Sequence, residues 1–279
     1  MVRLDFMEDF GTLIFDHPTT VFEAYQLHEV LPALANAEAM RQKGYWLAGF
    51  VSYEASSAID PAFVVHGLDR FPLVWLGAFS QPLRMPEIDT APYDVGPWRF
   101  RLSERDYGVA LAKIRMAIRE GLTYQVNYTV RMDAPFHGDP RHWYQHLWRA
   151  QQAPFAAYVE AGTFTVLSMS PELFFRVRGS EVETRPMKGT APRGHFDRDD
   201  QARQELLRQS VKDRAENIMI VDLMRNDLGR IAQWGSVRVH PLCTVERYPT
   251  VWQMCRVSLY LAQNRLDRLT FGAQGGGGA

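Results

Sequence analysis

Cysteine is scarce: the chain has two among 279 residues, Cys243 and Cys255. Two thiols make neither a disulfide framework nor a tetrahedral zinc site of the usual paired spacing, so a reducing cytoplasm is the expected setting. No charge of either sign is in excess, since 31 Lys and Arg stand against 32 Asp and Glu, a net charge of −1. That balance argues against nucleic acid or an anionic membrane as partner, because both select a basic surplus. No apolar run is long enough to cross a bilayer. The opening MVRLDFMEDF lacks the apolar run behind a basic leader that marks a signal peptide. Also missing are a Gly-x-Gly-x-x-Gly turn after a strand, a Gly-Lys-Ser/Thr phosphate loop, a His-Glu-x-x-His pair and a Gly-x-Ser-x-Gly elbow. Their absence sets aside the commonest dinucleotide, phosphate-loop, zinc-protease and serine-hydrolase readings. Apolar residues are plentiful: 46% hydrophobic against 23% charged is enough for a sizeable buried core, and is not the balance of a disordered chain.

The apolar pattern outlines elements. Residues 22–43 carry apolar side chains at three-to-four spacing and end at Gly44, which predicts a helix. Runs 45–54 and 71–79, rich in aromatic and branched residues, predict strands. Residues 80–97 hold Pro82, Pro86, Pro92 and Pro97 and predict a linker or a long surface loop. Ser103 fits an N-cap for a helix with Tyr107, Leu111, Ile114 and Ile118 as its stripe and Gly121 at its end. Residues 123–132 alternate like a strand and 140–152 are helix-like. Four short extended runs follow, 155–160, 163–169, 172–178 and 181–186, which predict an antiparallel meander. A helical region covers 199–228, and strand-like segments return at 236–247 and 250–261. Consecutive strands with short turns favour an α+β fold over a doubly wound one. The final GAQGGGGA is low-complexity and expected to be flexible.

Three segments could carry chemistry: SMSPELFFRV (168–177), ETRPMKGTAPRG (183–194) and KDRAENIMIVDLMRNDLGRI (212–231). The near-continuous apolar residues Ile218 to Met224 predict a helix covered on most sides, where charges are costly unless paired or functional. At about 100° per residue, Asp213, Glu216, Ile220, Leu223 and Asp227 share one face, while Asp222 and Arg225 fit a structural ion pair on another. Glu216 has two further acids on its face and no base near it there, an arrangement suited to a hard cation or to an anionic substrate held through one. On residue type alone, Lys188 reads as a solvated turn lysine and Glu172 as a charge at a strand edge.

Together, SPELFF, TRPMKGTAPRG and AENIMIVDLMRNDLGRI resemble, in the same order, the motifs of the chorismate-utilising enzymes. That family includes anthranilate, isochorismate, salicylate and aminodeoxychorismate synthases. The resemblance runs from about Ser103 to about Met254 and is greatest to the aminodeoxychorismate synthase component I branch, which has lysine before Gly-Thr where anthranilate synthases have alanine. It implies an α+β fold like that of anthranilate synthase component I, with large mixed or antiparallel sheets and helices packed outside. The chain would divide into an N-terminal α+β region (1–95), a chorismate-binding core (96–262) and a divergent Gly-rich tail (263–279). By resemblance Lys188 is the nucleophile that adds to the chorismate ring, and Glu172 is the acid that protonates the departing hydroxyl. Gly189 and Thr190 form a substrate-positioning turn, and Glu216 is a ligand of magnesium (Mg2+). The resemblance further implies amination of chorismate on the way to 4-aminobenzoate and folate. A glutamine amidotransferase subunit (component II) would supply ammonia, and an aminodeoxychorismate lyase is a further partner. Other chorismate enzymes and an inactive remnant that binds only the amidotransferase are the alternatives.

For Lys188 to attack it must lose a proton, and for Glu172 to donate it must gain one; free lysine and glutamate titrate near about 10.4 and 4.3. Transfer of one proton between them in a dry pocket would create both reactive forms together. Two departures from the family stand out. Gln253 occupies the place where anthranilate synthases tend to have histidine. Beyond Met254 the family's Gly-rich segment, second magnesium glutamate and substrate-binding arginine do not follow. The fold is therefore expected to be incomplete at the C-terminus, and turnover of chorismate to be poor.

Overall fold

The computed structural model describes residues 1–7, 10–67, 70–83, 91–240, 243–255 and 258–260. The Gly-rich tail and residues 84–90 of the proline-rich stretch lie outside the described residues. Two compact units are present, one formed by Met1–Glu87 with His146–Ala279 and the other by Ile88–Gln145.

The first unit begins with β1 (Val2–Phe6), β2 (Gly11–Phe15) and β3 (Thr20–Ala24), followed by α1 (Leu27–Gln42), β4 (Trp46–Val51), a 3-10 turn over Tyr53–Ala58, and β5 (Val74–Phe79). Where periodicity predicts helix from residue 22, Thr20–Ala24 instead pairs with β5. Its branched and aromatic side chains suit a pleated surface, and α1 starts only at Leu27, where the Glu29 carboxylate accepts the backbone N–H of Gln26 at 3.0 Å.

The second unit holds β6 (Asp94–Val95), β7 (Arg99–Phe100), α2 (Glu104–Arg119), β8 (Met132–Asp133) and β9 (Phe136–His137). Ser103 caps α2 as expected, its side chain accepting from the Asp106 N–H at 3.1 Å. The strand expected over 123–132 is not formed: 123–131 has no regular structure, and only Met132 of that stretch enters β8. Gln125 is half-buried and Asn127 exposed there.

After α3 (Pro140–Gln151) come β10 (Phe155–Ala161), β11 (Phe164–Ser170), β12 (Leu173–Arg178), β13 (Glu181–Arg185) and β14 (Met187–Pro192). The four expected strands form, but as two separate hairpins, β10–β11 and β12–β13, in different sheets and not as one continuous meander. Helices α4 (Asp197–Gln209) and α5 (Val211–Gly229) follow, then β15 (Arg238–His240), β16 (Thr244–Arg247), β17 (Val251–Cys255) and β18 (Ser258–Tyr260). The single helix expected over 199–228 is broken at Ser210, which ends α4 with ψ of 111° and caps α5 by accepting the Asp213 N–H at 3.2 Å.

Every strand pair among the described residues is antiparallel, and the largest sheet has four strands in the order β11-β10-β1-β2. Within the first unit its inner face meets the β3-β5-β4 sheet through Val2, Phe15, Ala48, Trp75, Phe79 and Val159. Helix α1 covers that second sheet through Val30 and Ala33, packed with Ala24 and Val74. A third sheet, β14-β17-β16, packs on α4 through Leu207, Cys243, Trp252 and Met254, while α5 sets Val221 and Leu228 against Val182 of β13. The fold is α+β, as the order of elements predicts.

Candidate active site

Lys188, Gly189 and Thr190 lie in the first half of β14, and Glu172 is bonded to its first residue. Pairing between β14 and β17 matches Met187 with Cys255 and Thr190 with Gln253. Three steps on one strand thus oppose two on the other, which makes Lys188–Gly189 a β-bulge. A bulge leaves one residue unpaired and re-aims its neighbours, and bulges are enriched beside active sites. Gly189 has φ of +83°, the left-handed region that glycine enters without strain. A Cβ at this position would lie 2.9 Å from the Asp213 Cβ and 3.2 Å from its carboxyl carbon. The first turn of α5 therefore sits directly on the bulge, and two observations, the dihedral and the close approach, require glycine there.

Glu172 lies just before β12, and its Oε1 accepts the backbone N–H of Met187 at 3.0 Å. That bond brings the carboxylate of one motif to the residue preceding Lys188 in another. Thr190, after the bulge, donates through Oγ1 to Gln253 Oε1 at 2.7 Å. Gln253 is thus the cross-strand partner of the Gly-Thr turn.

On α5, Glu216 is half-buried one turn beyond Asp213. The expectation that no base lies near it is not met: Lys212, one turn earlier on the same helix, places Nζ 3.8 Å from Glu216 Oε1. The expectation of a helix covered on most sides fails as well. Only Asn217, Val221 and Leu228 of α5 are buried, and Ile218 and Leu223 are exposed. One side of α5 packs on β13 and β14, so its apolar run is not evidence of burial all round. Asp222 and Arg225 do form the structural pair, at 3.0 Å on the exposed side.

Lys188 and Gly189 are half-buried, and Thr190 and Glu172 are exposed. The dry enclosure that proton transfer between Lys188 and Glu172 calls for is not formed by the described residues. The cavity beside Gln253, lined also by Met169, Pro171 and Tyr248, measures about 60 Å³, room for about two water molecules. Among the described residues no three His, Cys, Asp or Glu side chains converge as a metal site.

A second charged group stands behind this region. Glu183 of β13 is buried between Arg176 and Arg185, accepting from Arg185 Nε at 2.6 Å and from Arg176 Nε at 3.1 Å. Burial pushes its carboxyl up, and the hydrogen bonds from Arg176 and Arg185 together outweigh that, holding it below the usual glutamate value. Sequence reading passes over this triad, although the i, i+2 spacing of Glu183 and Arg185 along a strand places them on one face. It also passes over the Asp213–Gly189 contact, since nothing in the letters marks a bulge.

Comparison with known proteins agrees with the motifs. Residues 80–257 match the family of chorismate binding enzymes. The chain is 42% identical over 179 residues to an aminodeoxychorismate synthase component 1 of Klebsiella aerogenes, a match covering 64% of this chain and 39% of that protein. It is 35% identical over 158 residues to an anthranilate synthase component 1 of Aquifex aeolicus, covering 57% of this chain and 32% of that protein. The chain thus spans about two fifths or less of the length of these curated relatives. In structure it is similar to anthranilate synthase component I from Streptococcus pneumoniae, with a TM-score of 0.72 at 18% identity, covering 98% of this chain and 73% of that one. At that identity the likeness establishes the fold, which is the one the motifs imply. With the family match extending over more than half its length, the chain belongs to the chorismate binding enzymes.

Proposed function

We propose that this chain carries the lysine-bearing part of an aminodeoxychorismate synthase component 1, which aminates chorismate to 4-amino-4-deoxychorismate. The observation that supports this most directly is the bulge. It presents Lys188 beside a left-handed Gly189, with the Glu172 carboxylate hydrogen-bonded one residue away. In the proposed sequence the Lys188 amine forms a bond to a ring carbon of chorismate. The ring C–O bond breaks, and the hydroxyl leaves as water with a proton from Glu172. Ammonia then forms the new C–N bond as the bond to lysine breaks, which returns the amine, and the proton lost by the new ammonium restores Glu172. Water is the only other product, so atoms balance.

Thr190, held by Gln253, would orient the substrate at the turn. Glu216, with Asp213 on the same face, offers oxygen donors that fit magnesium, which needs only one or two carboxylates when substrate oxygens and waters complete its shell. Bound there, the ion would neutralise a substrate carboxylate. A glutamine amidotransferase subunit as ammonia source, a lyase acting on the product, a place in folate synthesis and a cytoplasmic setting belong to the same proposal. They rest on the resemblance to component 1 enzymes. The structure adds only that no helix among the described residues is long and apolar enough to cross a membrane.

The test is intact-protein mass spectrometry on this chain extended by the C-terminal part of the Klebsiella protein, incubated with chorismate and magnesium without ammonia. The proposal expects an adduct with the mass of chorismate less water, mapped to Lys188 and lost in Lys188→Ala. An adduct that persists in Lys188→Ala, or none in the folded parent, would refute it. The mass of the product formed once ammonia is added separates this reading from an anthranilate synthase.

A further inference from the structure

We infer that Arg193 is a positioning residue that locks the register of β14 and so keeps the bulge at Lys188–Gly189. A one-residue slip of β14 against β17 would displace the bulge and turn every side chain of the strand to the opposite face. Something beyond the ladder must therefore hold β14, and the cluster at its exit is built to do so.

Arg193 is the first residue after β14. Its guanidinium lies over the Trp252 ring, 4.9 Å from the centroid, and Trp252 is the cross-strand partner of Ala191. Nη1 donates to the Tyr248 carbonyl in the β16–β17 turn at 2.8 Å. Nε donates to Asp200 Oδ1 at 2.7 Å, and Nη2 donates to Asp200 Oδ2. This is the two-pronged geometry that arginine forms with a carboxylate and lysine cannot. Asp200, in the first turns of α4, also accepts the Gly194 N–H and the Trp252 indole N–H, each at 2.8 Å. Hydrogen bonding to Arg193 above all holds the Asp200 carboxyl far below the usual aspartate range. Gly194 permits the approach, because a Cβ there would lie 2.2 Å from the Asp200 nitrogen, a backbone atom that cannot move aside.

Three chain segments, the exit of β14, the start of α4 and the β16–β17 hairpin, thus meet at one guanidinium and one carboxylate. Cluster and bulge bracket the paired stretch Thr190–Pro192. Shifting β14 by one residue would carry Arg193 off Trp252 and off Asp200 at once. The inference rests on the reading of Lys188 given above only for its meaning in catalysis; its test does not.

The test is competitive trace acetylation of the full chain, far below its melting temperature, with lysine reactivities read by mass spectrometry. Lys43, Lys113 and Lys212, all exposed, serve as internal references for the half-buried Lys188. In Arg193→Gln the reactivity of Lys188 relative to the references should rise on the order of threefold as its segment opens locally. Arg193→Lys should behave like Arg193→Gln, since an ammonium cannot replace the fork. A Lys188 ratio that stays at the parent value, a rise shared by all four lysines, or rescue by Arg193→Lys would overturn the inference. Asp200→Asn, which keeps the volume and an acceptor for the indole, should shift the ratio in the same direction. In the unmodified chain, the Gly194 amide and the Trp252 indole proton should show one common opening free energy once each is corrected for its own intrinsic exchange rate, as a cluster that opens as a unit. Clearly different opening free energies would overturn the inference even if no variant folds. The adduct experiment on Lys188 can fail while these results stand, so the two claims are separable.

Discussion

Replacing Gly189 by alanine tests whether α5 presses on the bulge. The cost has two parts that the structure separates. The first is conformational: at φ of +83° an L-residue loses about 1–2 kcal/mol relative to glycine. The second is steric. The new Cβ would sit 2.9 Å from the Asp213 Cβ and 3.2 Å from its Cγ and Oδ1, well inside the ordinary carbon contact of about 3.5–4.0 Å. The Cβ of Asp213 belongs to a helix turn and cannot rotate away, so the helix start or the bulge must shift, at an overpacking cost of about 1–3 kcal/mol. The sum, about 2–5 kcal/mol, corresponds to a fall in melting temperature of about 3–9 °C for a chain of this size. Gly162, in the β10–β11 turn of the same unit, has φ of +63°, and a Cβ there would meet nothing within 4 Å. Gly162→Ala therefore carries the first cost alone. Thermal unfolding followed by circular dichroism, repeated as a urea titration, would measure both variants. If Gly189→Ala is no more destabilising than Gly162→Ala, the close seat of α5 on the Lys188 strand is wrong.

Ser210→Ala removes the cap shared by the α4–α5 break, where Ser210 accepts the Asp213 N–H. It should lower stability in a urea titration by about 0.5–2 kcal/mol. Glu183→Gln leaves Arg176 and Arg185 facing a neutral amide and should cost about 1–3 kcal/mol at neutral pH. The sign of the pH effect follows from the lowered carboxyl. In the parent its contribution is present above the unfolded value of 4.5 and is lost as pH falls through the lower folded value. An acid titration of stability should accordingly be shallower below pH 4.5 in Glu183→Gln than in the parent; equal slopes would contradict the assignment.

Much of the fold is legible in the sequence because its elements obey local rules. The two hairpins between Phe155 and Arg185 turn at Gly162 and Gly179, and Ser103 and Gly121 bracket α2. That the hairpins join different sheets is decided by β1, which pairs with β10. Expectation and structure part where a distant partner decides. Thr20–Ala24 continues the helical spacing of α1 in sequence, yet β5 takes it as a strand. Residues 123–131 alternate as a strand should, but no ladder partner meets them until Met132. The break at Ser210 is marked by a cap residue, but the helix-forming sequence on either side of it masks the signal. At the candidate site, the motifs place Lys188, Glu172 and Glu216 in order along the chain. What the structure adds, the bulge, the Glu172–Met187 bond and the seat of Asp213 on Gly189, has no sequence period.

The bond from Met187 to Glu172 has one more implication. Its N–H already occupies Oε1, so the two oxygens of that carboxyl group are not equivalent. An acid acting there would carry its proton on Oε2, leaving Oε1 as acceptor, and would release it without giving up its anchor to the main chain. If Glu172 is the proposed acid, a leaving oxygen would approach it from the side of Oε2. A ligand hydroxyl offered to Oε1 would have to share that oxygen with the Met187 N–H.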